Sequence, residues 1–251
     1  MAQVNVSGIV LQCYDLGEKD RIVVLLTAEL GKIRVVAKGA KRPGGRFAAV
    51  ASPFTEITAS IHLGRSLHTL NQAQIRTSHR QLREQLDRMA IGLFMTELLD
   101  VATVEGPGQM EFLNMLSNSL QRLEVAAQPE LILCSFLLQL LQLSGLSPAA
   151  GVCASCQSSD RPLIALDAAA GGLVCRSCVG KTGSFPLSGQ AIHLLNQLSL
   201  SLWEGWPPES APVGPATILS LCRALEQFTF YQLDARPKSY RFLNDMRGTS
   251  D

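Results

Sequence analysis

The sequence predicts an α+β protein: an N-terminal all-β module, then an α-helical domain into which a four-cysteine metal module is inserted. Three observations predict it. Hydrophobic residues alternate with period two up to about residue 76 and with helical spacing from Arg80 onward. Two C-x2-C pairs, Cys153/Cys156 and Cys175/Cys178, interrupt the helical part. Basic residues are concentrated at the front: positions 1–80 hold eleven Lys/Arg against five Asp/Glu, +6, and the remainder eleven against sixteen, −5.

The strands come first. Val4–Leu11 is strand-like, with Gly8 marking an expected bulge. Ile22–Leu26 is a short apolar run between polar turns. Lys32–Lys38 alternates, with Ile33, Val35 and Ala37 on one face and Lys32, Arg34 and Lys38 on the other. Thr55–Leu63 alternates with Ile57, Ala59 and Ile61 inward, and Ser66–Arg76 makes a fifth strand. Five short strands with a longer connection after the third suit a small barrel of the OB-fold type.

Leu82, Leu86, Met89, Leu93, Leu98 and Val101 predict one long amphipathic helix, broken by Gly106-Pro-Gly108. A second helix spans Met110–Leu123, and a third starts at Pro129 and ends near Gly145. With only Ser135, Gln139 and Gln142 polar, the third helix is expected at the centre of a bundle. Leu187–Leu202 and Pro215–Leu233 are helical, with a proline-rich turn at Trp206-Pro-Pro208 between them. The expected divisions are 1–78 for the barrel, 79–150 and 181–251 for the helical domain, and 151–180 for the metal module.

Cys153, Cys156, Cys175 and Cys178 have the spacing of a four-thiolate zinc site, with 18 residues between the knuckles. Four protein ligands leave no open coordination position, so one structural Zn2+ is expected rather than catalysis. The start Met-Ala-Gln-Val-Asn-Val carries no secretory signal, which argues for a reducing, cytoplasmic setting and against disulfides. An iron–sulfur cluster takes the same four thiolates, and spacing does not separate it from zinc. Cys13, Cys134 and Cys222 are read as ordinary buried thiols, and His193 as a structural histidine. No catalytic constellation is present: Gly180-Lys-Thr182 lacks the upstream glycine of a phosphate-binding loop, and no H-x-E accompanies the cysteines. No run is long enough to span a bilayer.

The segment Ala37-Lys-Gly-Ala-Lys-Arg-Pro-Gly-Gly-Arg46 carries Lys38, Lys41, Arg42 and Arg46 among glycines, a pattern for a phosphate backbone approached closely. Lys32 and Arg34 extend it down the strand. Aromatics are sparse in the first 80 residues (Tyr14, Phe47, Phe54), so phosphate contacts are expected to dominate. A zinc-bearing scaffold whose basic loop touches RNA or protein is the alternative.

The ordered segments Gly8-Ile-Val-Leu, Glu18-Lys-Asp-Arg-Ile22, Ala37-Lys-Gly-Ala-Lys-Arg42, Pro53-Phe54, Gly64-Arg-Ser-Leu-His-Thr-Leu70, Glu97-Leu-Leu99, Gly171-Gly172 and Pro237-Lys-Ser-Tyr-Arg-Phe-Leu243 make the chain similar to the RecO family of bacterial recombination mediators. The resemblance implies a non-enzymatic DNA repair protein with an OB-fold, a helical domain and, in many members, a zinc module. It implies binding of single- and double-stranded DNA, strand annealing, work with RecR, displacement of single-stranded-DNA-binding protein (SSB) and, indirectly, loading of RecA, in the cytoplasm at the nucleoid. By motif, DNA contact carries onto Lys38, Lys41 and Arg42, and further onto Arg34, Arg46 and Arg65. Lys238 and Arg241, beside Phe242 and Leu243, are the weak candidates for the acidic, apolar-ended SSB tail.

Overall fold

The computed structural model describes residues 3–65, 67–180, 183–204 and 211–248. The Trp206-Pro-Pro208 turn, Ser66, and Lys181 and Thr182 of Gly180-Lys-Thr182 lie outside the described residues. The chain divides into two compact units, Met1–Glu124 with Pro237–Asp251, and Val125–Arg236.

In the first unit, β1 (Gln3–Leu16), β2 (Asp20–Thr27), β3 (Gly31–Ala37), β4 (Glu56–His62) and β5 (His68–Thr77) close a barrel in the order β1-β2-β3-β5-β4. β3 and β5 pair in parallel and every other pair is antiparallel, which is the barrel expected from the strand count. Val6, Val10, Val23, Leu25, Ile33, Val35, Ile57 and Ile61 fill its interior. The connection 38–55 folds over one end, where Phe47, Val50 and Ala51 join the same core.

Gly8 is not the bulge expected of it. The β1–β2 register shifts instead between Val10 and Gln12. Gly8 is required because a Cβ there would stand 2.3 Å from the carbonyl oxygen of Leu26. The single long helix is also corrected. It divides into α1 (Arg80–Glu84) and α2 (Leu86–Ala102), because Gln85 is extended at φ −123° and ψ 110°. Leu86, counted on the apolar face, is 58% exposed, so the periodic pattern runs across a real break.

α3 (Met110–Val125) follows, and α7 (Ser239–Met246) packs on α2 with the rings of Tyr240 and Phe94 5.8 Å apart. α7 was not predicted as an element; its eight residues are too few for a clear period.

In the second unit α4 (Pro129–Leu143) is nearly all buried, with Ser135 satisfied internally by Leu131 O at 2.8 Å. It packs with α5 (Gly189–Glu204) and α6 (Pro215–Leu233), as the thin polar stripe predicts. A three-stranded sheet, β7 (Gly172–Cys175), β6 (Leu163–Asp167) and β8 (Ser184–Pro186) in that order, is inserted between α4 and α5. Among the described residues no helix is long and apolar enough to cross a membrane.

Candidate nucleic-acid interface and metal centre

The basic connection is a folded structure. Gly39 N donates to Asp20 Oδ1 at 2.8 Å and Lys41 N to Lys19 O at 3.0 Å, tying it to the β1–β2 hairpin. Arg42 N donates to Gly39 O and Gly45 N to Arg42 O, giving two tight turns. Gly45 permits the second, since a Cβ there would lie 2.3 Å from Gly39 O.

The cations on and near this loop differ in availability. Lys38 and Arg42 are exposed and have no side-chain partner among the described residues. Arg65 is exposed as well. Lys41 is spent locally on Asp15 Oδ2 at 2.8 Å and Gly17 O at 3.3 Å. Lys41, assisted by Arg21, holds the Asp15 carboxyl below its usual range. Arg34 pairs with Glu105 at 3.1 Å, and Arg46 lies 4.5 Å over the Phe47 ring and donates to Asn71 O.

Lys32 is a correction. It lies on the strand face shared with Arg34 and Lys38, but the end of α2 covers it, leaving it 6% exposed. Its ammonium donates to Asp100 Oδ1 at 3.0 Å and to the carbonyls of Asp100 and Thr103. All three of its donors are used, so it has nothing left for a phosphate.

The strand register reveals residues that the sequence reading missed. Interior Cys13, Val23 and Val35 are aligned across β1–β2–β3, so their neighbours Tyr14, Ile22 and Val36 form a row on the outside, continued by Thr69 of β5. Tyr14 is 50% exposed and Ile22 and Val36 are half-buried. Burial, then the charges of Asp100 and Glu97, raise the Tyr14 phenol, so its ring stays neutral. Along β3 the row is flanked by Arg34 and Lys38. An exposed ring beside cations is a platform for a stacked base. Lys19, exposed on the hairpin that grips the loop, adds another cation. Its only signal in sequence is its place in Glu18-Lys-Asp-Arg, while Tyr14, one of three aromatics in the first 80 residues, is placed beside the cations only by the register.

The four predicted cysteines come together. Their Sγ atoms all lie within 4.8 Å of one another, and Cys156 and Cys175 are 4.0 Å apart. Zn–S bonds of about 2.3 Å give a tetrahedron with edges of about 3.8 Å, so the donor set fits one zinc ion. Each knuckle reverses the chain: Gln157 N donates to Cys153 O at 2.8 Å and Cys178 N to Cys175 O at 2.9 Å. The backbone N–H groups of Cys156 and Cys175 draw the Cys153 thiol down to about 6. Burial opposes ionisation of Cys175, yet the Ser177 N–H helps bring it below its usual value. Cys178 is pushed up to about 12, first by the Cys156 sulfur and then by burial. Four thiolates this close repel, and a divalent cation relieves that repulsion. Asp167 supports the second knuckle: it accepts Ala170 N at 2.8 Å and the Ser184 hydroxyl, which in turn accepts Gly180 N at 2.9 Å. His193 is exposed on α5 and is not among the clustered ligands. Cys134 and Cys222 are buried and Cys13 half-buried, with burial pushing Cys13 up to about 12.

Lys238, just before α7, and Arg241 on it are exposed, and Lys238 N and Ser239 N donate to the Glu97 carboxylate at 3.0 and 2.7 Å. Leu243 is 1% exposed against the helices, so only Phe242 remains as an apolar neighbour to that pair.

Comparison with known proteins agrees with this architecture. Residues 1–79 match the family described as Recombination protein O N terminal, and residues 83–241 match Recombination protein O C terminal. The DNA repair protein RecO of Symbiobacterium thermophilum is 35% identical over 98% of this chain and 99% of its own length. That of Alkaliphilus metalliredigens is 30% identical over 92% and 94%, and that of Thermobifida fusca 36% over 78% and 82%. With both halves matched in order and a relative similar from end to end, this chain belongs to the RecO family of DNA repair and recombination proteins.

Proposed function

We propose that the protein is a non-enzymatic recombination mediator that binds single- and double-stranded DNA through its barrel, anneals complementary strands, and acts with RecR to displace SSB so that RecA can load. The observation that carries the DNA-binding part is the outward row Tyr14–Ile22–Val36, flanked along β3 by Arg34 and Lys38. Arg42 and Lys38 keep their charges unspent, and annealing needs charge neutralisation more than base recognition. Two phosphodiester strands repel, and cations that displace condensed counterions lower that barrier. Zinc holds the β6–β8 sheet and its knuckles together and takes no part in chemistry. The partners RecR, SSB and RecA, and a place at the nucleoid, come from family membership rather than from any surface of this chain. Lys238 and Arg241 stay a minor candidate for the SSB tail.

The test is filter binding of a single strand across a salt series, for the native protein and for Lys38→Glu/Arg42→Glu. If each residue meets one phosphate, the slope of log affinity against log salt falls by about 1.4, at about 0.7 per phosphate on single strands. Unchanged affinity and slope with the fold intact remove this loop from the interface. Annealing of SSB-coated complementary strands tests the rest: acceleration that fades with salt is expected. No acceleration by a DNA-binding, zinc-loaded protein favours the scaffold alternative.

A further inference from the structure

β5 is paired on both edges for only part of its length. Its pairing with β3 is confined to Val35↔His68 and Val36↔Thr69, whereas its pairing with β4 runs from His62↔Thr69 to Glu56↔Thr77. Residues 72–77 therefore have a ladder on one edge, and among the described residues their main chain bonds to nothing on the other. Arginines hold the carbonyls that bound this run: Arg46 donates to Asn71 O, and Arg83 Nε to Ser78 O at 3.0 Å. Between them, alternate residues turn both N–H and C=O away from β4. The open edge is about 20 Å long, at about 3.3 Å per residue.

The side chains along this edge mark a missing neighbour. Ile75 lies directly opposite Ile57, on the face that fills the barrel, yet Ile57 is buried in the core and Ile75 is 41% exposed. No residue of β3 pairs alongside it. Arg76 is exposed and has no side-chain partner among the described residues. Its charge reaches Glu56, but His79 and Ser117 already hold that carboxylate. From residue 57 to residue 83 the chain has four arginines and no Asp or Glu. The edge is thus unpaired in its main chain, apolar at one position and positive beside it.

We infer that the open edge of β5 docks an extended segment of another protein as an added strand, with an apolar residue beside Ile75 and Asp or Glu beside Arg76. A strand edge presents donors and acceptors in alternation, and another main chain complements both. A phosphate offers acceptors only and meets the edge carbonyls unfavourably. Neither β4 nor β5 carries a Phe, Tyr or Trp on which a base could stack, so the edge does not suit a nucleic-acid strand. Charge disfavours a second copy of this chain, because pairing β5 with β5 brings two arginine-bearing edges together. The inference stands on the β5 edge and is independent of the Tyr14 row that carries the DNA-binding reading.

The experiment is fluorescence anisotropy and amide hydrogen exchange on the full chain with three labelled, end-blocked hexapeptides: alternating Val and Asp, alternating Val and Lys, and the Val/Asp peptide methylated at every amide. The Val/Asp peptide is expected to bind saturably below about 1 mM and to slow exchange of the amides of residues 72–77. The methylated peptide keeps the side chains and loses the donors, and is expected to bind at least about tenfold more weakly, the worth of one or two hydrogen bonds. Arg76→Glu is expected to weaken the Val/Asp peptide by about fivefold, the upper end for one exposed charge pair. No saturable binding of the Val/Asp peptide, equal binding of its methylated form, or protection confined to other residues overturns the added strand. Equal binding of the Val/Lys peptide, or a native affinity in Arg76→Glu, overturns the acidic partner. Protection of residues 72–77 by a single DNA strand and not by the peptide also overturns the inference and assigns this edge to the DNA path.

Discussion

Lys32 on β3 and Lys38 just past its end are six residues apart, and one is buried while the other is exposed. The ammonium of Lys32 is enclosed by Asp100 and Thr103, with side-chain exposures of 7% for Lys32 and 16% for Asp100. Removing one member of such a pair leaves a charge and two carbonyls with neither partner nor full hydration. Lys32→Ala is therefore expected to destabilise the first unit by about 3 kcal/mol, at the low end for a broken buried pair because Asp100 keeps some contact with water. A urea titration reads this directly, and a midpoint equal to the native one refutes the clamp. DNA affinity of the folded fraction should stay the same, which separates Lys32 from Lys38 and Arg42. In sequence the three are indistinguishable members of one basic run, since the cover comes from α2, nearly seventy residues later.

At the scale of elements, a polar cluster joins β4, the β5–α1 junction and α3. His79 is buried in the left-handed conformation at φ 46°. Its Nε2 is 3.3 Å from Glu56 Oε1, and its Nδ1 is 3.3 Å from Glu124 Oε2, off the hydrogen-bonding direction. The Ser117 hydroxyl also donates to Glu56, at 2.7 Å. His79 first, and Ser117 after the opposing effect of burial, hold the Glu56 carboxyl below its ordinary value of 4.5. A carboxylate with a depressed folded value stabilises the fold above its ordinary value, and that contribution is lost as pH falls. Stability is thus expected to decline as the pH is lowered below about 4.5, and Glu56→Gln should flatten that part of the profile. Equal acid slopes for the native protein and Glu56→Gln, measured as unfolding midpoint against pH, discard the cluster as the cause. The turn after β5 was legible, but not this junction: His79 is one scattered histidine until β4 and α3 converge on it. Glu97 is a comparable case, a surface-type residue on α2 that receives the amide of Lys238 and the first amide of α7.

Across the whole molecule, the four-cysteine cluster and the barrel belong to different units. The cysteine cluster sits in the second unit, where Cys153, Ala165, Val174 and Cys175 form a core too small to hold a sheet alone. Coupling of structural zinc to folding is worth on the order of 10 kcal/mol in small modules. Chelation, or Cys153→Ala, is expected to lower the melting temperature of the second unit, with one equivalent of zinc released and the barrel's transition unmoved. Calorimetry with metal analysis checks this, and a Cys153→Ala protein that keeps one zinc and an unshifted melting curve contradicts it. The charge asymmetry runs along the chain in the same way: the basic front third holds the barrel, while the acidic remainder holds the four-cysteine cluster.

The sequence by itself determined the five strands, the helical remainder, the four paired cysteines and the basic loop. Each of these rests on a period or a spacing within one short segment. Alternation fixes a strand face wherever one side is buried, as at Ile33–Val35–Ala37, and two C-x2-C pairs are legible without coordinates. Only the tertiary structure decided which residues on a face remain available. The break at Gln85, the covering of Lys32, the use of Lys41 by Asp15 and the alignment of Tyr14 with Ile22 and Val36 all depend on partners distant in the chain. The physical reason is that pattern records which side of an element faces apolar matter, whereas exposure and pairing depend on what a remote segment brings against the other side.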